Sequence, residues 1–246
     1  MKIAILFLAA LCAHAQTLRV LSYNLHHGEG VDGKLDLDRI AKVILSVNPD
    51  VVALQELDSR TRRTNGMDQP AELARLTGMK FFFGPAIEFE GGNYGNAVLS
   101  RVPAVFTRNA PLPGKEKRSL MEVTLQLGKQ KIAFFATHLD ASREQTERVA
   151  AAHEILKLAH PKHPAILAGD LNAVPDSEPL RILSKEWTRA GAPETHLTIP
   201  VHSPRRQIDY VLLRPAKKFR VVEVRVLEEA VASDHRPILA VLELVK

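Results

Sequence analysis

The sequence predicts a single α/β domain with a large share of antiparallel sheet, and three observations lead there. Apolar, strand-like runs alternate with segments of helical period, a tight hairpin interrupts them, and three strands close the chain. No repeat, low-complexity tract or linker divides the 246 residues. With 46% hydrophobic and 25% charged residues, the composition is that of a chain able to bury a substantial core.

Residues 1–15 read as a leader. Lys2 precedes the apolar run Ile3 to Cys12, and Ala13-His14-Ala15 supplies an Ala-x-Ala cleavage pattern before Gln16. The expectation is a signal peptide cleaved after Ala15, export to a periplasm or the medium, and one catalytic domain over 16–246. The run is shorter than the roughly 20 apolar residues of a spanning helix, so no stable membrane insertion is expected. Cys12 is the only cysteine, which excludes a disulfide framework and thiolate metal ligation in the mature chain. The formal charge of +5 suits an anionic substrate and equally suits solubility.

Leu18 to Asn24 is predicted as a buried strand. Leu37, Ile40, Ala41, Ile44 and Leu45 then recur at helical spacing, with Asp36 as the cap and Pro49 beyond the end. Val51 to Glu56 reads as a second buried strand, 58–68 as a polar loop, and Pro70 to Leu76 as a short helix closed by Gly78. Lys80 to Phe83 and Asn96 to Arg101 read as strands separated by a Gly91-Gly92 loop, with Phe81, Phe82 and Phe83 in the core. Ser119 to Leu127 and Lys131 to Thr137 form a hairpin around Gly128-Lys129. A helix over Ser142 to Leu158, a strand over Ala165 to Ala168 and a short helix over Ser177 to Leu183 follow. Trp187 to Arg206 reads as a long loop, and strands at Asp209 to Leu213, Phe219 to Val226 and Pro237 to Val245 complete the chain.

Polar clusters stand at the margins of these runs. Asn24, Glu56, His138 and Asp170 each close one, whereas Asp209 and the Asp234-His235 pair each open one. Closing and opening residues meet on one rim if the two sets of strands run antiparallel, which predicts mixed sheets with a single polar edge. Glu56 ends the run Val51-Val52-Ala53-Leu54, where a charge is expensive to bury unless paired or bound to a cation. With Asn24 it offers oxygen and no sulfur, a donor set for Mg²⁺, with Mn²⁺ as a substitute. Asp170 and Asn172 lie two apart on one face, one to hold water and one to grip a phosphate oxygen, although Gly-Asp-x-Asn is also an ordinary turn. His235 beside a carboxylate suits proton transfer from water, and His138, at the end of an apolar strand, suits a phosphate contact. His160 and His163 are read as loop histidines, since Pro161 and Pro164 break any helix there.

Leu21-Ser-Tyr-Asn24, Leu54-Gln-Glu56, Gly95-Asn-Ala-Val-Leu-Ser-Arg101, Thr137-His-Leu139, Gly169-Asp-Leu-Asn172, Ile208-Asp-Tyr210 and Ser233-Asp-His-Arg-Pro237 together resemble the endonuclease/exonuclease/phosphatase superfamily. The resemblance implies a four-layered α/β sandwich, two mixed sheets packed face to face and flanked by helices, with the site at one end. By position it implies that Asn24 and Glu56 hold Mg²⁺ with help from Asp234, and that Asp170 positions or activates water. Asn172 and His138 then stabilise the transition state, and His235, oriented by Asp209, acts as general base or acid. Asn96, Arg62 and Arg63 are candidate substrate contacts, and Arg60 in the loop after Glu56 and Arg205-Arg206 before Asp209 could likewise serve a phosphate. Asp140 and Arg148 read as a helix-capping acid and a solvated helix arginine at least as readily as substrate contacts.

The expected activity is a secreted Mg²⁺-dependent phosphodiesterase acting as a monomer on nucleic acid, a phospholipid head group or a small phosphodiester. The alternatives are a secreted endonuclease and a noncatalytic phospho-ligand-binding module. Arginine forks serve either kind of phosphate.

Overall fold

The inner faces of the strands decide the architecture. The computed structural model describes residues 17–159 and 162–245, so the predicted leader and His160 lie outside the described residues. The first sheet contains β1 (Thr17–Asn24), β2 (Val51–Ser59), β3 (Lys80–Phe89), β4 (Gly92–Ser100), β11 (Phe219–Val226) and β12 (Ile238–Leu244), in the order β11-β12-β1-β2-β4-β3. The second contains β5 (Ala104–Leu112), β6 (Arg118–Leu127), β7 (Gln130–His138), β8 (Ala165–Asp170), β9 (Thr188–Arg189) and β10 (Asp209–Arg214), in the order β5-β6-β7-β8-β10-β9. Both are mixed, since β1 runs parallel to β2 and β7 parallel to β8 while the other pairs are antiparallel.

Strand side chains alternate between faces, so one strand contributes to two layers. Val20, Ala53, Val98, Phe134, Ile166 and Val211 fill the core between the sheets. Their neighbours face outward, where α1 (Leu37–Ser46) and α2 (Gln69–Thr77) cover the first sheet and α3 (Thr146–Leu158) and α4 (Glu178–Leu183) cover the second. The result is the four-layered sandwich that the sequence predicts, with apolar material in all three interlayer cores. Asp36 caps α1 by accepting the Arg39 backbone N–H at 2.9 Å, and Gly78 ends α2 in the left-handed region at φ 68°.

Several elements depart from expectation. β2 does not stop at Glu56 but runs to Ser59 through a bulge. β5, whose middle is almost entirely exposed, carries no alternating apolar signal and was not expected as a strand. Phe81 lies on the edge strand β3 at 40% exposure, so the phenylalanine run borders the core rather than filling it. The helix expected from Ser142 begins only at Thr146, because Arg148 Nη1 draws the Asp140 and Ser142 carbonyls into a non-helical approach. Arg148 is therefore buried and structural, not solvated. Within the expected loop 187–206, β9 pairs with β10 and Ile199 bridges to Arg206.

Candidate active site

Following the inner face of each strand upward explains where the polar clusters meet. β1 presents Leu18, Val20, Ser22 and Asn24, β7 presents Ile132, Phe134, Ala136 and His138, and β8 presents Ile166, Ala168 and Asp170. Each climbs from apolar core to a polar side chain at the same end. β10 enters from that end antiparallel to β8, which places Asp209 directly opposite Asp170 in register. The antiparallel arrangement required for a shared rim is present.

Glu56 reaches this rim through a backbone irregularity. Leu54 and Leu57 both face the helix layer, so two residues stand between them where strict alternation allows one. The bulge, with Glu56 at φ 60°, provides for the additional residue and brings the Glu56 carboxylate to the site. Gly169 has a comparable cause. A Cβ there would lie 1.9 Å from the Thr137 carbonyl oxygen, so the Gly-Asp-Leu-Asn segment is a close strand contact and not merely a turn. Gly95 likewise admits the Gly84 carbonyl, 2.2 Å from where its Cβ would stand.

The cluster converges on one oxygen, Asp170 Oδ2. Asn24 Nδ2 donates to it at 3.1 Å and to Glu56 Oε1 at 2.9 Å. His138 Nε2 lies 3.5 Å and His235 Nε2 3.7 Å from the same atom. Asn172 Nδ2 stands 3.0 Å from His138 Nε2 and donates to the Leu139 carbonyl, while its backbone N–H donates to Asp170 Oδ1. Asp209 Oδ2 bonds His235 Nδ1 at 2.9 Å and accepts from the Thr198 hydroxyl at 2.5 Å. One ligand atom from each of Asp170, Asp209 and His235 lies within 4.8 Å of the others, so these buried residues have the spacing of a metal site. Asp209 Oδ1 is buried without a hydrogen-bond partner among the described residues, an acceptor that a cation would satisfy.

The environment drives the titrating groups apart. Burial, and then the facing Asp209 carboxylate, pushes Asp170 up to about 7. For His235 burial acts downward, but Asp209, Asp170 and Asp234 together outweigh it, and the imidazole is pushed up to about 10. Burial and the Arg118 and His235 charges hold His138 well below its ordinary value. Both ring nitrogens of His138 face donors, Nδ1 the Arg118 guanidinium at 3.3 Å and Nε2 the Asn172 amide at 3.0 Å, while Nε2 also lies 3.5 and 4.0 Å from the Asp170 and Glu56 carboxylates.

Asp234 stands outside the compact set, half-buried, linked through Ser233, whose hydroxyl donates to the Asn24 carbonyl at 2.7 Å. Asn96 is buried and donates to the Ser119 carbonyl, bridging the sheets at the floor of the site. Arg62 is exposed. Arg63 is differently employed, because its fork is closed on the buried Asp58 at 2.6 and 2.8 Å and its guanidinium lies over Phe89 and Tyr94. It supports the rim more than it offers a free cation. Sequence reasoning missed Arg118 and Thr198, which orient His138 and Asp209. Arg118, a charge opening an apolar strand, carried the same signal that marked Asp209.

This polar rim between two sheets agrees with the comparisons. Residues 21–235 match the model of the Endonuclease/Exonuclease/phosphatase family. The chain belongs to that family. The uncharacterized protein YbhP of Escherichia coli (strain K12) is 24% identical over 247 residues, spanning 93% of this chain and 97% of YbhP. An endonuclease/exonuclease/phosphatase from Beutenbergia cavernae DSM 12333 superposes with TM-score 0.74 at 27% identity, covering 93% of this chain and 72% of that one. The mannosyl-6-phosphatase Bt3783 of Bacteroides thetaiotaomicron VPI-5482 gives 0.76 at 20% identity over 93% and 100% of the two chains. The human Nocturnin catalytic domain gives 0.74 at 20% identity over 94% and 95%. As a member of this family with a buried Asp170–Asp209–His235 cluster, the protein is a phosphoester hydrolase.

Proposed function

We propose that this family member is an exported Mg²⁺-dependent phosphodiesterase in which water attacks phosphorus. The convergence of Asn24, His138 and His235 on Asp170 Oδ2, with Glu56 joined through the Asn24 amide, carries the reading. Two carboxylates share one amide donor here, and the Glu56 side chain is 22% exposed. These are hard oxygen donors without sulfur, a set that fits Mg²⁺, with Mn²⁺ as a replacement. We assign the ion to Glu56 and Asn24, with Asp234 assisting, in preference to a site that uses His235 directly. Asp209 bonds that imidazole through Nδ1, an arrangement that suits proton transfer. When bound, the ion would supply positive charge against the phosphoryl oxygens and acidify water.

The protein groups divide the remaining work. Asp170, with a proton affinity poised near neutrality, orients the attacking water and takes its proton. His138, kept neutral by burial, joins the Asn172 amide 3.0 Å away in binding the charge that builds on phosphorus. His235, kept charged by Asp209, delivers a proton to the leaving oxygen. The exported state rests on the leader pattern in residues 1–15.

A bis-aryl phosphodiester assayed with Mg²⁺, with Mn²⁺ and with EDTA tests the proposal. Metal-dependent release is expected, and Glu56→Ala or His235→Ala should each lower kcat about 100-fold or more, the scale seen when one transition-state donor is removed. Full activity in either variant, or in EDTA, would refute it. Duplex DNA offered alongside separates the endonuclease reading.

A further inference from the structure

Beside His138 a trough opens at the edge where the two sheets separate. Two adjoining hollows of about 820 and 550 Å³ share Pro85, Ala86 and Lys117. One side is the backbone of β3, and the other is the segment 113–118 leading into β6. Arg118, whose Nη1 lies 3.3 Å from His138 Nδ1, lines the inner hollow and is the side chain that joins the trough to the site.

The segment is held in place by a residue that the catalytic arrangement leaves over. Asp140 is 2% exposed, and its Oδ2 accepts the backbone N–H groups of Lys115 at 3.0 Å and Glu116 at 3.4 Å. Its Oδ1 accepts the Ser142 N–H at 2.8 Å. This buried carboxylate therefore fixes a loop rather than capping a helix. Two exposed lysines stand on that loop, both lining the outer hollow. Glu116 between them is turned to Arg118, at 3.1 Å, which leaves the ammonium groups free of their sequence neighbour. Glu88 supplies an acidic group on the facing wall of the outer hollow, and Glu154 one in the inner hollow.

A pre-formed loop carrying two cations beside the scissile centre has an evident ligand chemistry. We propose that Lys115 and Lys117 form an anion subsite for a second negatively charged group of the substrate, a phosphate displaced along the trough from the one being hydrolysed. The inference rests on the phosphodiesterase reading and extends it to substrates that bear more than one phosphate.

The test compares two p-nitrophenyl phosphodiesters of thymidine, one with a 3′-hydroxyl and one with a 3′-phosphate. The wild-type protein is expected to favour the phosphorylated ester through KM. The Lys115→Ala/Lys117→Ala variant should raise KM for that ester about tenfold, the scale of one charge-assisted hydrogen bond, with kcat unchanged. Its effect on the hydroxyl ester should stay within about twofold, since exposed charges act weakly without a partner. Equal KM changes for both esters would overturn the subsite. If neither ester is cleaved, the phosphodiesterase reading falls separately. Calorimetric titration with thymidine 3′,5′-bisphosphate then decides the subsite, and equal affinity of wild type and variant would sink it.

Discussion

Asp209 Oδ2 serves two partners, the Thr198 hydroxyl and His235 Nδ1, and the second of these sets the charge of the site. Replacing Asp209 by Asn removes the first of the attractions that oppose burial, so the His235 imidazole should fall from about 10, as read by NMR titration of the ring carbons. The sign follows for stability. A histidine raised on folding contributes fully below the unfolded value of 6.5, and that contribution fades as pH climbs through about 10. The gap in denaturation midpoint between wild type and Asp209→Asn should therefore be widest near pH 6 and narrow toward pH 10. At this scale the sequence was informative where a polar residue interrupts an apolar run, as at Glu56, His138 and Asp170. It was silent on Thr198, an uncharged residue inside a segment with no period, and misleading on Arg63, whose partner Asp58 lies five residues away on a strand extension that no pattern marks.

At the scale of elements, legibility followed alternation. Helices and inner strands that bury one full face were readable, whereas β5 exposes most of its length and gave no period to detect. The bulge in β2 was hidden for a different reason: nothing in Leu-Gln-Glu-Leu says that two consecutive residues share a face. Gly169 illustrates a feature visible in sequence but open to two readings, settled by packing against Thr137. Gly169→Ala should destabilise the fold by about 3 kcal/mol, since the added methyl group meets backbone that cannot move aside without breaking the β7–β8 ladder. Urea denaturation monitored by circular dichroism measures this, and a loss under about 0.5 kcal/mol, the range of neutral surface changes, would contradict it.

For the whole molecule, the catalytic groups are divided between sheets. The first supplies Asn24, Glu56 and, from the loop before β12, His235, while the second supplies His138, Asp170 and Asp209. Their alignment depends on the core between the sheets, in which Phe134 is fully buried. Phe134→Ala should cost about 3–5 kcal/mol in stability. It should also lower kcat of the folded fraction, because a displaced sheet moves one half of the site against the other.

Chain order adds a temporal aspect to this division. The polypeptide builds four strands of the first sheet, then the whole second sheet, and returns to the first only with β11 and β12. Ser233 and Asn24, joined by a hydrogen bond, are separated by 209 positions. A ribosome must thus release almost the complete polypeptide before His235 can take its seat and β12 can lock between β11 and β1. A chain cut before Ser233 lacks both His235 and β12, and is expected to leave phosphoesters around it intact.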